Sequence, residues 1–417
     1  MTEQTSLAAT KGRLFVPAMI VINAAAPTVF VGFPAIVGQV MRQWHFGESA
    51  VGISAFVEIL GITLGTLAAA LLLSRKPVRT TLAVAALLAV AANLLTPAST
   101  TFSAYCLLRF VAGVGAGALG GIAMRYLSYA VAPAKRVALL GLAVMVQVLW
   151  AMALLSAVLP AIDAAWGATG TFYFVALVAA LFVPCALFFA RGEPMVAEEA
   201  SAGGVVNRWS ASMTLLSVFA LYCAVGTLWT FIERLGTEAG LDHAFINGTL
   251  GAANLVAMAG CLMLPLLMKG RGIYGWTLLM LAGCAASAGA FMWQHSAALF
   301  AGCVIGFVLS WTIGAILLFA NIPRFDPVGR YATLSPAFVG FGYGIGSIVG
   351  GWLIESGRIQ GAIEVAALFC VAAMALHAAT RERHALAMAS PAKNQPDPHD
   401  ENQFLESPPS GRPGGGP

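Results

Sequence analysis

A chain of 417 residues, 59% of them hydrophobic and only 10% charged, is not a soluble domain, since soluble domains carry about 25% charged residues. A mean hydropathy of +0.84 over this length excludes a soluble protein with a single anchor and indicates many membrane crossings. The net charge of +4 is no nucleic-acid signal, because the basic residues lie mostly in short loops, and no Walker A motif points to ATP hydrolysis.

The apolar runs are continuous and near 20 residues long. That length suits helices crossing about 30 Å of hydrocarbon and not the short alternating strands of a barrel. Residues 1–12 form a polar start. Leu14–Met41 has no charged residue and holds Pro17, Pro27 and Pro34. It is too long for the apolar part of a signal peptide and reads as an uncleaved first helix. Further spans are predicted at 49–73, 80–98, 102–124, 137–161 and 170–190. A polar stretch at 191–209 follows, then six more spans at 210–232, 244–268, 274–293, 297–320, 332–354 and 360–380. The tail from Arg381 is rich in Pro, Gly, Ser and charge, a composition expected to be disordered. The expected organisation is therefore an N-terminal six-helix bundle at 1–190, a linker at 191–209, a C-terminal six-helix bundle at 210–380 and a disordered tail at 381–417.

Twelve spans put both termini on one side. Of the 22 Lys and Arg residues, 18 then fall on the terminal side, and only Arg42, Arg234 and Arg358 on the other. Positive charge favours the cytoplasmic side of short loops. The expectation is a multi-pass protein of the inner (plasma) membrane with both termini cytoplasmic.

The fourth span, Phe102–Met124, carries one charge, Arg109, followed by Gly113, Gly115, Gly117, Gly120 and Gly121. A charge at bilayer depth costs about 2.5–3.5 kcal/mol on insertion scales. Small residues every three or four positions allow close helix approach. The segment reads as a helix packed tightly on one side, its cation facing a protein interior or an aqueous cavity. Gly115, Gly117 and Gly120 also spell the dinucleotide fingerprint, which has meaning only between a strand and a soluble helix.

An internal repeat is visible at a spacing of 194 residues: Arg75 with Lys269, Pro133 with Pro327, Arg136 with Arg330, each pair in equivalent loops. Two parallel six-helix halves are the organisation of transporters with a midplane site between bundles.

These residues carry a family resemblance over about residues 12–382. Arg109 followed by Gly113, Gly115 and Ala116 resembles the fourth-helix motif of the major facilitator superfamily. Leu72, Arg75, Arg79 and Leu82 fit the register of that family's loop after helix two. Ala70, Ser74 and Pro77 stand where the family has Gly, Asp and Gly, and helix five, Gly141–Ile162, lacks the signature of many drug–proton antiporters. The general look is nearest the sugar-efflux and drug-efflux branch. The resemblance implies an all-α membrane fold of twelve transmembrane helices in two pseudo-symmetric six-helix bundles, with helices one, four, seven and ten facing a central cavity.

Few ionisable groups fall within spans. Arg109 lies seven residues into helix four and Glu58 about nine into helix two, so at about 1.5 Å per residue they share a depth. Burial raises a carboxyl pKa and a nearby cation lowers it. A site alternating between such environments takes up and releases a proton, so Glu58 and Arg109 are the proton-coupling candidates. The bland alternative is a permanent ion pair that fixes packing. Arg109 is also a candidate ligand for an anionic substrate, since guanidinium pairs bidentately with carboxylate. Glu233, Arg234 and Glu364 lie at span ends and read as wetted helix-end charges.

The candidate substrate-binding residues are Asn23, Arg109, Gln147, Trp150, Tyr222, Thr227, Trp311 and Thr312, each weighed against ordinary packing or interhelical hydrogen bonding. The seven cysteines sit in apolar spans without CxxC pairs, and the six histidines lack metal spacing, so neither metal nor cofactor is expected. No catalytic cluster points to an enzyme. The first reading is a secondary transporter moving a small organic solute by alternating access, with proton-coupled efflux favoured. The partners are then that small molecule, protons and the bilayer, and a monomer is favoured. The alternatives are a proton-coupled uptake symporter for an organic acid, aromatic acids included, and, from another class, a non-transporting receptor or assembly factor.

Overall fold

The computed structural model describes residues 15–72, 77–129, 133–188, 206–268, 272–293, 296–326 and 330–389. Among these residues there is no strand, and fourteen α-helices account for nearly all of them. In the first half these are α1 Phe15–Ala25, α2 Thr28–Trp44, α3 Glu48–Leu72, α4 Val78–Leu95, α5 Phe102–Tyr129, α6 Pro133–Ala153 and α7 Leu159–Ala180. In the second they are α8 Arg208–Trp229, α9 Ile232–Glu238, α10 His243–Leu267, α11 Ile273–Ala290, α12 Ala297–Phe325, α13 Arg330–Glu355 and α14 Ile359–Ala389.

Among the described residues, eleven stretches are long and apolar enough to cross a membrane. One of them, Met145–Leu187, has 43 residues. At about 1.5 Å per residue that is twice the hydrocarbon thickness, so it holds two crossings. The chain turns between them at Gly167, whose φ of 61° and ψ of −160° suit glycine alone. Twelve crossings result, in two six-helix bundles. Even parity puts Phe15 and Ala389 on one face, called here the terminal face; the opposite one is the distal face. Leu107, Leu177, Leu266 and Leu368 are exposed on the flanks, where lipid replaces water as the solvent.

Local chemistry explains the departures from simple rods. The first crossing breaks into α1 and α2 at Ala26 and Pro27, because Pro27 has no N–H to continue the ladder. Thr28 Oγ1 donates to the Ala25 carbonyl at 2.6 Å and so closes the break. Between α6 and α7, Leu154–Val158 winds as a π-helix.

Glycine sets the tightest contacts. A Cβ at Gly113 would meet the Glu58 carbonyl, one at Gly117 the Ile62 carbonyl, and one at Gly65 the Val114 carbonyl, so α3 and α5 touch backbone to backbone. The expectation that α5 packs tightly on one side is corrected here. Gly115 looks the other way, onto α4, where a Cβ would lie 2.7 Å from the Ala85 carbonyl oxygen. The second half repeats the device between α8 and α13, where Gly226 lies against the Tyr343 carbonyl and Gly346 against that of Cys223. α13 also reaches across to α3: Gly52 faces the Ser347 carbonyl and Gly344 the Phe56 ring.

The last helix runs to Ala389. It passes Arg381, where the tail expected to be disordered begins. Residues 390–417 lie outside the described residues, as do 191–205 of the expected linker and, from the internal repeat, Arg75, Lys269 and Pro327. Asn207, placed in that linker, caps α8 by accepting from the Ser210 N–H. All seven cysteines are free, four of them buried.

Candidate functional site

Inside the first bundle Arg109 Nη1 lies 3.6 Å from Glu58 Oε1, with the two side chains 1% and 4% exposed. The two helices bring them there at matching depth, and the glycines around Gly113 let α5 come close enough to α3 for the side chains to meet. The cation is held on further sides. Its Nη2 donates to Asn93 Oδ1 at 3.0 Å and to the Thr96 hydroxyl, both on the same face at the end of α4. The Phe172 ring centroid lies 4.4 Å from its Cζ, a cation–π contact in a dry setting. Arg109 Nε and Nη1 have no hydrogen-bond acceptor. A cavity of about 20 Å³, enough for one water, is bordered by Glu58, Asn93, Ala25, Ala26 and Pro27. The proline break in the first crossing therefore opens beside the carboxyl group.

The other sequence candidates divide. Tyr222 and Trp311 meet edge to face with centroids 6.4 Å apart, and Trp229 and Phe307 pack on the same indole at 5.6 and 6.4 Å. Trp150 Nε1 donates to Thr28 Oγ1 at 3.0 Å, and its ring borders an apolar cavity of about 410 Å³ with Val21 and Phe182. Asn23 is buried with Nδ2 lacking a partner. Gln147 and Thr312 are half-buried. Thr227 is taken up by packing: its hydroxyl bonds the Cys223 and Gly346 carbonyls between α8 and α13.

Glu233 corrects the sequence reading. Expected to be a wetted helix-end charge, it is 8% exposed and bonds His243 Nδ1 at 3.0 Å. The cause is the short helix α9, which packs against α2 and α10 on the distal face. Arg234 and Glu364 are exposed, as a helix end in water requires. Sequence reasoning also missed Thr96, Phe172 and Tyr343. Asn93 and Thr96 share a helix face three residues apart, which is a usable signal. Phe172 and Tyr343 are aromatics in apolar spans and give none. Tyr343 packs on Phe30 and Phe33 of α2 at 5.1 and 6.0 Å, and Thr230 donates to its hydroxyl.

Two glycine-packed six-helix bundles meeting through α3 and α13, with an ion pair buried in the first, define a membrane transporter fold. Residues 18–325 match the family model described as Major Facilitator Superfamily. The chain belongs to that superfamily and is a transporter. Among solved structures it is similar to the nucleoside transporter NupG, at 13% identity and a TM-score of 0.69 over 88% of this chain and 99% of that one. It is similar also to a D-xylose-proton symporter, at 13% identity and a TM-score of 0.66 over 90% and 96%. At that identity the likeness is one of fold. No curated protein matches the sequence.

Proposed function

We propose that this chain is a proton-coupled secondary transporter that moves a small organic solute by alternating access. The observation that carries the reading is the Glu58–Arg109 pair beside a water-sized cavity at the Pro27 break. A carboxyl group there can exchange its counter-charge for a proton delivered by one water; the ionised state is neutral overall, and the protonated state leaves the Arg109 cation to Asn93, Thr96 and the Phe172 ring. Those contacts lower the cost of the unpaired cation while the proton is aboard, which is what cycling a proton in a low dielectric needs.

We assign Arg109 to this proton site and not to an anionic substrate, because its guanidinium is committed to neighbours inside the first bundle. Tyr222 and Trp311 are our choice for the solute contact, as an aromatic pair with a polar tip on the helices that face a central cavity in this family. The excess of basic residues supports a cytoplasmic terminal face at the inner membrane, and the contacts between α3 and α13 then close the molecule toward the outside. Efflux of the solute remains the direction we favour, from the branch resemblance, and one of the solved neighbours is a proton symporter, which makes uptake the second reading.

The test is solute flux in proteoliposomes across a panel of nucleosides, sugars and aromatic acids, with and without an imposed pH gradient. The neutral double variant Glu58→Gln with Arg109→Gln avoids a lone buried charge. The expected outcome is solute exchange without gradient-driven accumulation in that variant. Accumulation equal to wild type would end the proton role, and absence of any flux by wild type would count against solute transport.

A further inference from the structure

A third cavity, of about 510 Å³, lies between the two halves on the distal face. Gln39 and Arg42 on α2 and Asp163 on α7 line it from the first half, and Glu233 on α9 with His243 and Asn247 on α10 line it from the second. It belongs to neither the ion pair nor the aromatic cluster described above.

Two of its polar side chains are about nine-tenths buried, and each keeps one oxygen without a partner. Glu233, 8% exposed, uses Oε1 on His243 and leaves Oε2 without a partner. Asn247, 9% exposed, leaves Oδ1 without one. Buried acceptors are rarely left unmade in a folded protein. Arg42 does not supply the donor: its Nη2 bonds Asp163 Oδ2 at 2.6 Å, and Glu233 Oε2 keeps no partner although Arg42 Nη1 lies on the same side of Gly38. A Cβ at Gly38 would sit 3.2 Å from both Glu233 Oε2 and Arg42 Nη1, so glycine leaves room beside them. Ala35, Pro160 and Ala164 add an apolar wall. One edge is Ser156, on the π-helical turn, an irregularity that often accompanies a site.

We propose that this cavity binds a primary organic amine with a small apolar body, its ammonium group donating to Glu233 Oε2 and Asn247 Oδ1. An ammonium brings several N–H donors and one positive charge, which is what two bare acceptors and one carboxylate lack. The volume is that of an ordinary small-molecule site. A ligand seated here touches both halves and holds the distal face shut.

The site is sensitive to pH. Burial raises the Glu233 carboxyl to about 7, with His243 and Arg42 pulling it down and Asp163 pushing it up. The carboxylate is the form that binds, so affinity rises as pH climbs through 7.

The test is calorimetric titration of phenethylammonium into the full chain in lipid nanodiscs, which needs no transport and so is independent of the function proposed above. Saturable binding is expected, weaker by about tenfold or more in Glu233→Gln and in Asn247→Leu, retained in Asn247→Asp, and about tenfold weaker at about pH 6 than at about pH 8. The N,N,N-trimethyl analogue, with no N–H, is expected to bind at least about tenfold more weakly. No saturable binding by the wild type, unchanged affinity in both Glu233→Gln and Asn247→Leu, or equal binding of the quaternary analogue would each overturn the proposal.

Discussion

Arg109 and Glu58 differ in what happens when each loses the other. A guanidinium stays charged at any accessible pH, whereas a carboxyl group can take up a proton and become neutral. Glu58→Gln therefore strands a permanent cation in the bundle, a loss of about 3–5 kcal/mol for a broken buried pair. Arg109→Gln strands a group that neutralises itself. Asn93 and Thr96 keep their bonds to the Ala89 and Ala92 carbonyls in that variant. Only the Asn93 oxygen is orphaned, at about 1–3 kcal/mol. The expected order of thermal stability in detergent micelles at neutral pH is wild type, then Arg109→Gln, then Glu58→Gln, with the double variant above Glu58→Gln. A Glu58→Gln protein that melts with the wild type would show that the pair carries no charge.

At the scale of the helix, glycine decides how close α3 and α5 come. A methyl at Gly117 would overlap the Ile62 carbonyl, whereas at Gly120, three residues on, nothing lies within 4 Å. Gly117→Ala is expected to cost about 1–3 kcal/mol, as overpacking does, and Gly120→Ala to stay within about 0.5 kcal/mol. Chemical unfolding of both variants in one lipid mixture checks this, and equal losses would refute the zipper. The pair also shows what a sequence exposes. Spacing along a helix gives depth, and so Glu58 and Arg109 could be matched before any coordinates. It does not give azimuth against a neighbour, and so Gly115 and Gly117 looked alike although one faces α4 and the other α3. The crossings were legible because a bilayer demands long apolar runs. The burial of Glu233 was not, because α9 folds back on the distal face through contacts remote in sequence.

For the molecule as a whole, the distal face is latched by contacts between halves. Glu48 Oε1 on α3 pairs with Arg234 Nε beyond α8 at 3.3 Å, and Glu355 at the end of α13 accepts from the Ser49 N–H at 2.9 Å. A carboxylate at a helix N-terminus is stabilised by the free N–H groups there, so Glu355 caps a helix of the other half. Below the latch α3 and α13 run in contact as far as Gly340 and Thr63, with no side chain on the glycines to hold them apart. Arg234 is 42% exposed and shares its charge with Glu238, so the Glu48 pair is worth about 1 kcal/mol at most. That shifts a two-state equilibrium by about fivefold. Ser347→Cys, near-isosteric and fully buried against Gly52, reports on opening when the native cysteines are replaced. Arg234→Gln is expected to raise the rate at which a membrane-impermeant thiol reagent, applied from the distal side, labels that cysteine by up to about fivefold. The charge swap Glu48→Arg with Arg234→Glu should restore the slow rate if the pair itself is the latch. Equal labelling in all three proteins would mean that the Glu355 cap and the glycine contacts hold the distal face shut without the Glu48–Arg234 pair.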